Sequence, residues 1–231
     1  GYQAGINVST GINNVLIGGL AGDNLSTGNY NIAIGKSALT TEDAHGRNVA
    51  IGHNALFYLN AGVDAYNIAI GYEAGVNVTT GAYNTIMGGL AGDALTTGSS
   101  NVAIGYLALS TEDAGGANVA IGHSALKDQD AGDAFNTAVG YHAGKTISTG
   151  IQNTLIGGLS GDAITTGQYN VAVGTYALTN EDTGSRGTAI GFGALANQNY
   201  DGASYNVAVG YEAGNDITTG THNTLIGSLA G

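Results

Sequence analysis

Apolar residues in this chain fall into short clusters at regular intervals. Each cluster is a run of three: Val, Thr or Ile, then Ala, Leu or Ile, then Ile, Val or Met. An Asn precedes the run and a Gly follows it. This five-residue core begins at Asn14, Asn31, Asn48, Asn67, Asn84, Asn101, Asn118, Asn136, Asn153, Asn170, Gly187, Asn206 and Asn223. The spacings are 17, 17, 19, 17, 17, 17, 18, 17, 17, 17, 19 and 17 residues. Four units sum to 70, 69 and 70 residues, so a four-unit super-repeat overlies the first period, and its third unit is the long one. Fixed periodicity of this kind is the mark of a repeat architecture. The whole of 1–231 reads as one array, and both ends fall inside a repeat, as expected of a segment of a longer fibre chain.

Seventeen residues hold too few apolar groups to fold alone. A closed loop of that length can stack on its neighbour at the ~4.8 Å strand spacing and pair its backbone groups. Burial is then shared between neighbours, as in other solenoids. The expected fold is all-β, a parallel β-solenoid of about thirteen coils of ~17 residues, roughly 60 Å long at that spacing. Counting from the core's first residue, position 4 is always Ile, Val or Met and is expected to face inward. Position 5 is always Gly, as at Gly18, Gly35, Gly105, Gly140 and Gly210, which predicts a positive φ or a backbone approach too close for a Cβ. Position 1 is Asn in twelve units, among them Asn14, Asn31, Asn101, Asn136 and Asn206. Asn tolerates the left-handed region, and stacked Asn side chains can bond along the rod. Position 8, always Ala or Ser, predicts a tight corner.

One apolar anchor sits in each loop. It is Leu at position 9 in unit types two and three (Leu39, Leu56, Leu109, Leu126, Leu178, Leu195). In types one and four position 9 is Gly, and the anchor is at position 12 (Leu25, Val78, Leu95, Ile147, Ile164, Ile217). This predicts two loop conformations plugging one core. Positions 3 and 6 also exchange size. Leu16, Ile86, Leu155 and Leu225 go with Gly19, Gly89, Gly158 and Ser228, whereas units with Ala at position 3 carry a larger residue at position 6, such as Tyr72 or Tyr141. Volume compensation in one packed space is the expected cause.

Composition narrows the function. Charged residues are 10% and proline is absent, and proline cannot donate to a strand ladder. Net charge is −12 with five Lys and Arg, a poor match to nucleic acid, whose phosphates need clustered cations. No apolar run approaches the ~18 residues of a membrane helix, so no membrane insertion is expected. Zero cysteine fits an extracellular setting without disulfides.

Units such as Asn101-Val-Ala-Ile-Gly-Tyr-Leu-Ala-Leu and Asn206-Val-Ala-Val-Gly-Tyr-Glu-Ala-Gly resemble the Asn-x-x-Ile-Gly repeats of trimeric autotransporter adhesin heads. They resemble still more the 17-residue Thr-Thr-Gly-x-x-Asn-x-Ala-Ile-Gly repeats of phage tail fibres. The resemblance implies a left-handed β-roll, a parallel homotrimer and an extracellular place on a virion or cell surface. The residues themselves also argue for a trimer: apolar or small residues at positions 2, 3, 4 and 8 plus an anchor exceed what one thin coil can enclose.

Candidate chemistry is sparse, and neither an enzyme nor a cofactor is expected. The pairs Glu42-Asp43, Glu112-Asp113 and Glu181-Asp182 recur four coils apart, roughly 19 Å at strand spacing, too far to share a metal. They read as solvated loops. Among the histidines, His53 and His123 share a coil position that Phe192 also fills, so packing is their expected role; His45, His142 and His222 form no recurring set. No Ser has a His and an acid recurring beside it. The Thr-Thr-Gly runs read as turn chemistry. The longer third loops, residues 57–66, 127–135 and 196–205, place aromatics beside acids: Phe57, Tyr58, Asp64, Asp133, Phe135, Tyr200, Asp201 and Tyr205. That composition suits contact with a host-surface receptor or glycan. The expected function is the structural shaft of an extracellular fibre, such as a phage tail fibre. An adhesin head binding through its loops and a self-assembling filament subunit are the alternatives.

Overall fold

Each strand is only three residues long because the left-handed residue before the core Asn and the positive-φ Gly after the strand both break extended geometry. The computed structural model describes residues 1–231, contains no helix, and divides into two compact units, Gly1–Ala117 and Asn118–Gly231. In the first, β1 (Val15–Ile17), β2 (Ile32–Ile34), β3 (Val49–Ile51), β4 (Ile68–Ile70), β5 (Thr85–Met87) and β6 (Val102–Ile104) pair in parallel, each with the next. In the second, β7 (Val119–Ile121), β8 (Thr137–Val139), β9 (Thr154–Ile156), β10 (Val171–Val173), β11 (Thr188–Ile190), β12 (Val207–Val209) and β13 (Thr224–Ile226) do the same. Like positions pair throughout, as Ala172 does with Leu155 and Ala189. Both units are parallel β-solenoids, one repeat per coil.

The register inside a coil corrects the expectation for position 4. Position 3 points inward and is fully buried at Ala33, Ala50, Ile86, Ala138 and Leu155. Position 4 points out, with Met87 37%, Ile190 38% and Ile156 40% exposed. Alternation explains it, because positions 2 and 4 must share one face and position 3 the other. The interior is filled by positions 1, 3, 8, 9 and 12.

Position 5 takes the predicted positive φ, 137° at Gly35 and 144° at Gly140. A Cβ on Gly35 would collide with the carbonyl of Gly52 in the next coil. Only glycine lets the coils approach at this corner. The left-handed residue near the Asn is not the Asn itself but the one before it, for example Tyr30 (φ 59°) and Arg47 (φ 64°).

The Asn column closes and stacks the coils together. Within each unit the N–H of one core Asn donates to the Oδ1 of the core Asn before it: Asn31 to Asn14 at 2.9 Å, Asn101 to Asn84 at 2.9 Å, Asn136 to Asn118 at 3.1 Å, Asn153 to Asn136 at 2.8 Å; Gly187 interrupts the column ahead of Asn206. The side-chain amide donates across its own coil, as Asn101 Nδ2 does to Gly115 O at 2.8 Å and Asn206 Nδ2 to Gly220 O at 2.6 Å. The hydroxyls at position 13 staple coil to coil, with Thr79 donating to Thr96 O, Thr96 to Asp113 O and Thr165 to Asp182 O. This is the turn chemistry expected of the Thr-Thr-Gly runs.

Two packing expectations need correction. Position 9 is left-handed whether it is Gly (Gly22, φ 55°; Gly144, φ 55°) or Leu (Leu39, φ 51°; Leu178, φ 55°). The two loop classes thus share one backbone conformation at position 9 and differ there only in which side chain fills the core. Nor do positions 3 and 6 share a space: Leu155 is buried, and a Cβ on Gly158 would meet nothing nearer than Thr175 Cγ2 at 4.0 Å. The partner of a large position 3 is the glycine at position 9. Leu155 Cδ1 lies 2.7 Å from where a Cβ of Gly144 would stand, and Leu155 Cδ2 lies 2.8 Å from that of Gly161. Glycines in two successive coils make room for one leucine. Position 6 is surface, where His53 stacks on Tyr72 and Phe192 on Tyr211, each pair at 5.5 Å.

Candidate functional site

The acidic pairs are the first place where the structure departs from a solvated loop. Position 12 faces the core in every coil type. In type two that residue is glutamate, and Glu42, Glu112 and Glu181 are all 0% exposed. The following residue, Asp43 or Asp113, is exposed. Burial of a carboxylate requires partners, and the loop supplies one within a turn. Glu42 Oε1 accepts His45 N–H at 3.1 Å, Glu112 Oε1 accepts Gly115 N–H at 2.7 Å, and Glu181 Oε1 accepts Gly184 N–H at 2.8 Å. The signal was present in the register, since Glu42 occupies the same position as the anchors Leu25 and Val78.

The three copies are not equivalent beyond that bond. Glu181 Oε2 accepts the side-chain amide of Gln198 in the next coil at 2.8 Å. Gln198 Oε1 in turn accepts Asn206 Nδ2 at 2.7 Å. The position of Gln198 in the first super-repeat is held by buried Leu59, which offers no donor. Glu42 Oε2 is buried with no hydrogen-bond partner, and so is His45 Nδ1. The imidazole Nδ1 lies 3.7 Å from Glu42 Oε1. Burial raises the pKa of both Glu42 and Glu181, and backbone or amide hydrogen bonds partly oppose the rise. Glu42, Asp43 and His45 place one ligand-capable atom each within 4.8 Å of one another.

The aromatic residues form an exposed column along the residue that precedes each core Asn. In the first unit the Arg47 guanidinium lies over Tyr30 at 5.1 Å and Tyr66 at 5.5 Å, and Tyr66 stacks on Tyr83 at 5.7 Å. Arg47 Nε also meets Asp64 Oδ2 at 2.8 Å. That hydrogen bond holds the Asp64 carboxyl below its usual range. In the second unit Arg186 lies over Tyr169 at 4.9 Å and Tyr205 at 5.7 Å, and Tyr205 stacks on His222 at 5.1 Å.

Set against known protein families, curated proteins and solved structures, the chain matches none.

The long loops gather only part of the predicted contact set. Phe57 and Tyr58 meet edge to face at 4.6 Å, with Tyr58 half exposed. Asp64 and Tyr205 belong to the columns around Arg47 and Arg186. Asp201 accepts the Thr183 hydroxyl at 3.0 Å, and Tyr200 N–H points at the Glu181 carboxyl at 3.4 Å. Phe135, which precedes Asn136 as Tyr30 precedes Asn31, is exposed, and so is Asp133. Sequence reasoning singled out these loops but missed the columns, because Tyr30, Arg47 and Tyr83 lie outside the long loops. No helix is long and apolar enough to cross a membrane.

Proposed function

We propose that this chain is a structural segment of an extracellular fibre, assembled as a parallel homotrimer, most like the shaft of a phage tail fibre or a similar surface appendage. The observation that supports this reading is where the side chains go. Asn, Gly, Ser and Thr positions are occupied in joining each coil to the next, which leaves an outer strand face carrying Val, Ile and Thr at position 2 and Ile, Val and Met at position 4. A regular apolar face of this kind calls for a cover. A second and third copy of the same chain suit it, because an identical repeat presents the same residues at the same spacing and can meet itself in register. Zero cysteine and few charges fit a surface location.

Sedimentation of the purified chain at micromolar concentration tests the assembly, with three chains per particle as the expected result. A soluble monomer at that concentration would reject the trimer. A second reading, an adhesive head, draws on the exposed Tyr–Arg columns, whose ring faces suit stacking against sugar rings. Glycan-array binding that disappears in a Tyr169→Ala, Tyr205→Ala variant would favour it over a passive shaft.

A further inference from the structure

We propose that Glu42, Asp43 and His45 form a site for one divalent transition-metal ion, with zinc as the type. Two lone-pair atoms, Glu42 Oε2 and His45 Nδ1, are sequestered from water with no hydrogen-bond partner. Glu42 is wholly buried, and its carboxyl is approached by the backbone N–H groups of His45 and Ala61 and, at 3.7 Å, by the His45 imidazole. Buried groups of this kind are rare in folded proteins and call for an ion or another unseen partner. Asp43 completes the set from the exposed side and supplies an entry path.

The Glu181 copy shows how this loop looks when its carboxyl is satisfied within the protein. At Glu181 the second oxygen is satisfied by Gln198, and the third residue on is Gly184. At Glu42 both of these differ at once: Leu59 replaces the amide, and His45 replaces the glycine. The change removes the neutral donor from the carboxyl and adds an imidazole. The resulting donor set of one nitrogen and two carboxylates suits zinc, which binds His and Asp or Glu at ~2.0–2.2 Å. Tetrahedral bonds of that length put donor atoms about 3.4 Å apart, close to the 3.7 Å between His45 Nδ1 and Glu42 Oε1. The loop is also held in place. Asp43 O accepts the N–H of Ser26 at 2.7 Å and of Thr27 at 3.0 Å, and the Ser26 hydroxyl at 2.9 Å.

Calorimetric titration of the intact chain with zinc chloride tests the site. One ion per chain is expected, with heat and proton release that vanish in His45→Gly, a change that restores the residue found in the other two copies. Leu59→Gln, which returns the amide partner to Glu42, is expected to weaken binding about 10–100-fold. Cobalt(II) bound to the unaltered protein gives a second readout: visible absorption of a low-symmetry nitrogen–oxygen site, displaced by zinc. Absence of binding at about 100 µM zinc, or equal binding by His45→Gly, would overturn the proposal.

Discussion

At the residue scale, volume is matched between position 3 and the glycines at position 9. Ala138→Leu overpacks the interior and is expected to cost on the order of 1–3 kcal/mol. Tyr141→Gly opens no cavity, since the ring is 55% exposed and rests on His142 at the surface. The two changes should therefore add, with a coupling energy near zero. Leu155→Ala and Gly144→Ala should not add. The first leaves a void worth about 2–5 kcal/mol, and the second drives a methyl into Leu155 Cδ1. Combined, they should recover about 1 kcal/mol or more as favourable coupling in urea titrations. A result the other way round would restore the exchange between positions 3 and 6. The buried glutamates supply a pH test. The folded-state pKa of Glu42 is raised by burial, so the native state binds its proton more tightly than the unfolded chain. Stability from this group is then fully present below the ordinary value of 4.5 and is lost as pH rises through the raised value. In chelated protein, Glu42→Gln should melt close to the unaltered chain at acid pH and above it at neutral pH. Parallel melting curves across that range would contradict the buried, unpaired carboxyl.

At the element scale, the coil is held by its Asn more than by its strand. A three-residue strand offers few ladder bonds, and the Asn side chain adds one bond across the coil and one to the next. Asn153 Nδ2 donates to Gly167 O at 2.9 Å, and Asn153 Oδ1 accepts Asn170 N–H at 3.0 Å. Asn153→Ala strands both backbone groups in the interior at about 1–3 kcal/mol each, so a loss on the order of 2–6 kcal/mol is expected at fixed protein concentration. The chain already contains a natural exception at Gly187. There the Gln198 amide nitrogen lies 3.4 Å from the site of the missing Cβ, and Gln198 Oε1 takes the Asn206 amide. The Asn153 coil has Ile164 at the corresponding position and no such substitute. A loss below about half a kcal/mol would mean that water replaces the Asn. Much of this level was legible in the sequence. The repeat, the parallel stacking, the positive φ at position 5 and the Asn ladder follow from which residue types recur. What was not legible was direction. A run of Val-Ala-Ile is apolar on both faces, and the decision that Ala rather than Ile turns inward comes from the interior's small cross-section. The same thin interior hid the burial of Glu42, because a Glu-Asp pair beside Gly and Thr has the composition of a loop, and only its register with Leu25 gives it away.

At the scale of the whole molecule, the outward Ile and Val of position 4 decide between a lone solenoid and an assembly. In a monomer these side chains would face water, and a lysine there would be tolerated or even favoured. In a trimer they would meet their copies, and a lysine in each chain would bring like charges together in a desolvated seam. Ile104→Lys separates the two cases. Position 104 is only half exposed, and its side chain points away from the core that Ala103 faces. Circular dichroism of the variant should stay β-type, because no interior contact is lost. Sedimentation should shift from three chains toward one, and the melting temperature should become strongly dependent on concentration, as linkage between folding and association requires. Ser99→Lys is the control, a turn position away from the strand face, and should leave the particle mass unchanged. If Ile104→Lys sediments like the unaltered chain, the strand face is not the seam, and the exposed Tyr–Arg columns become the next surface to test.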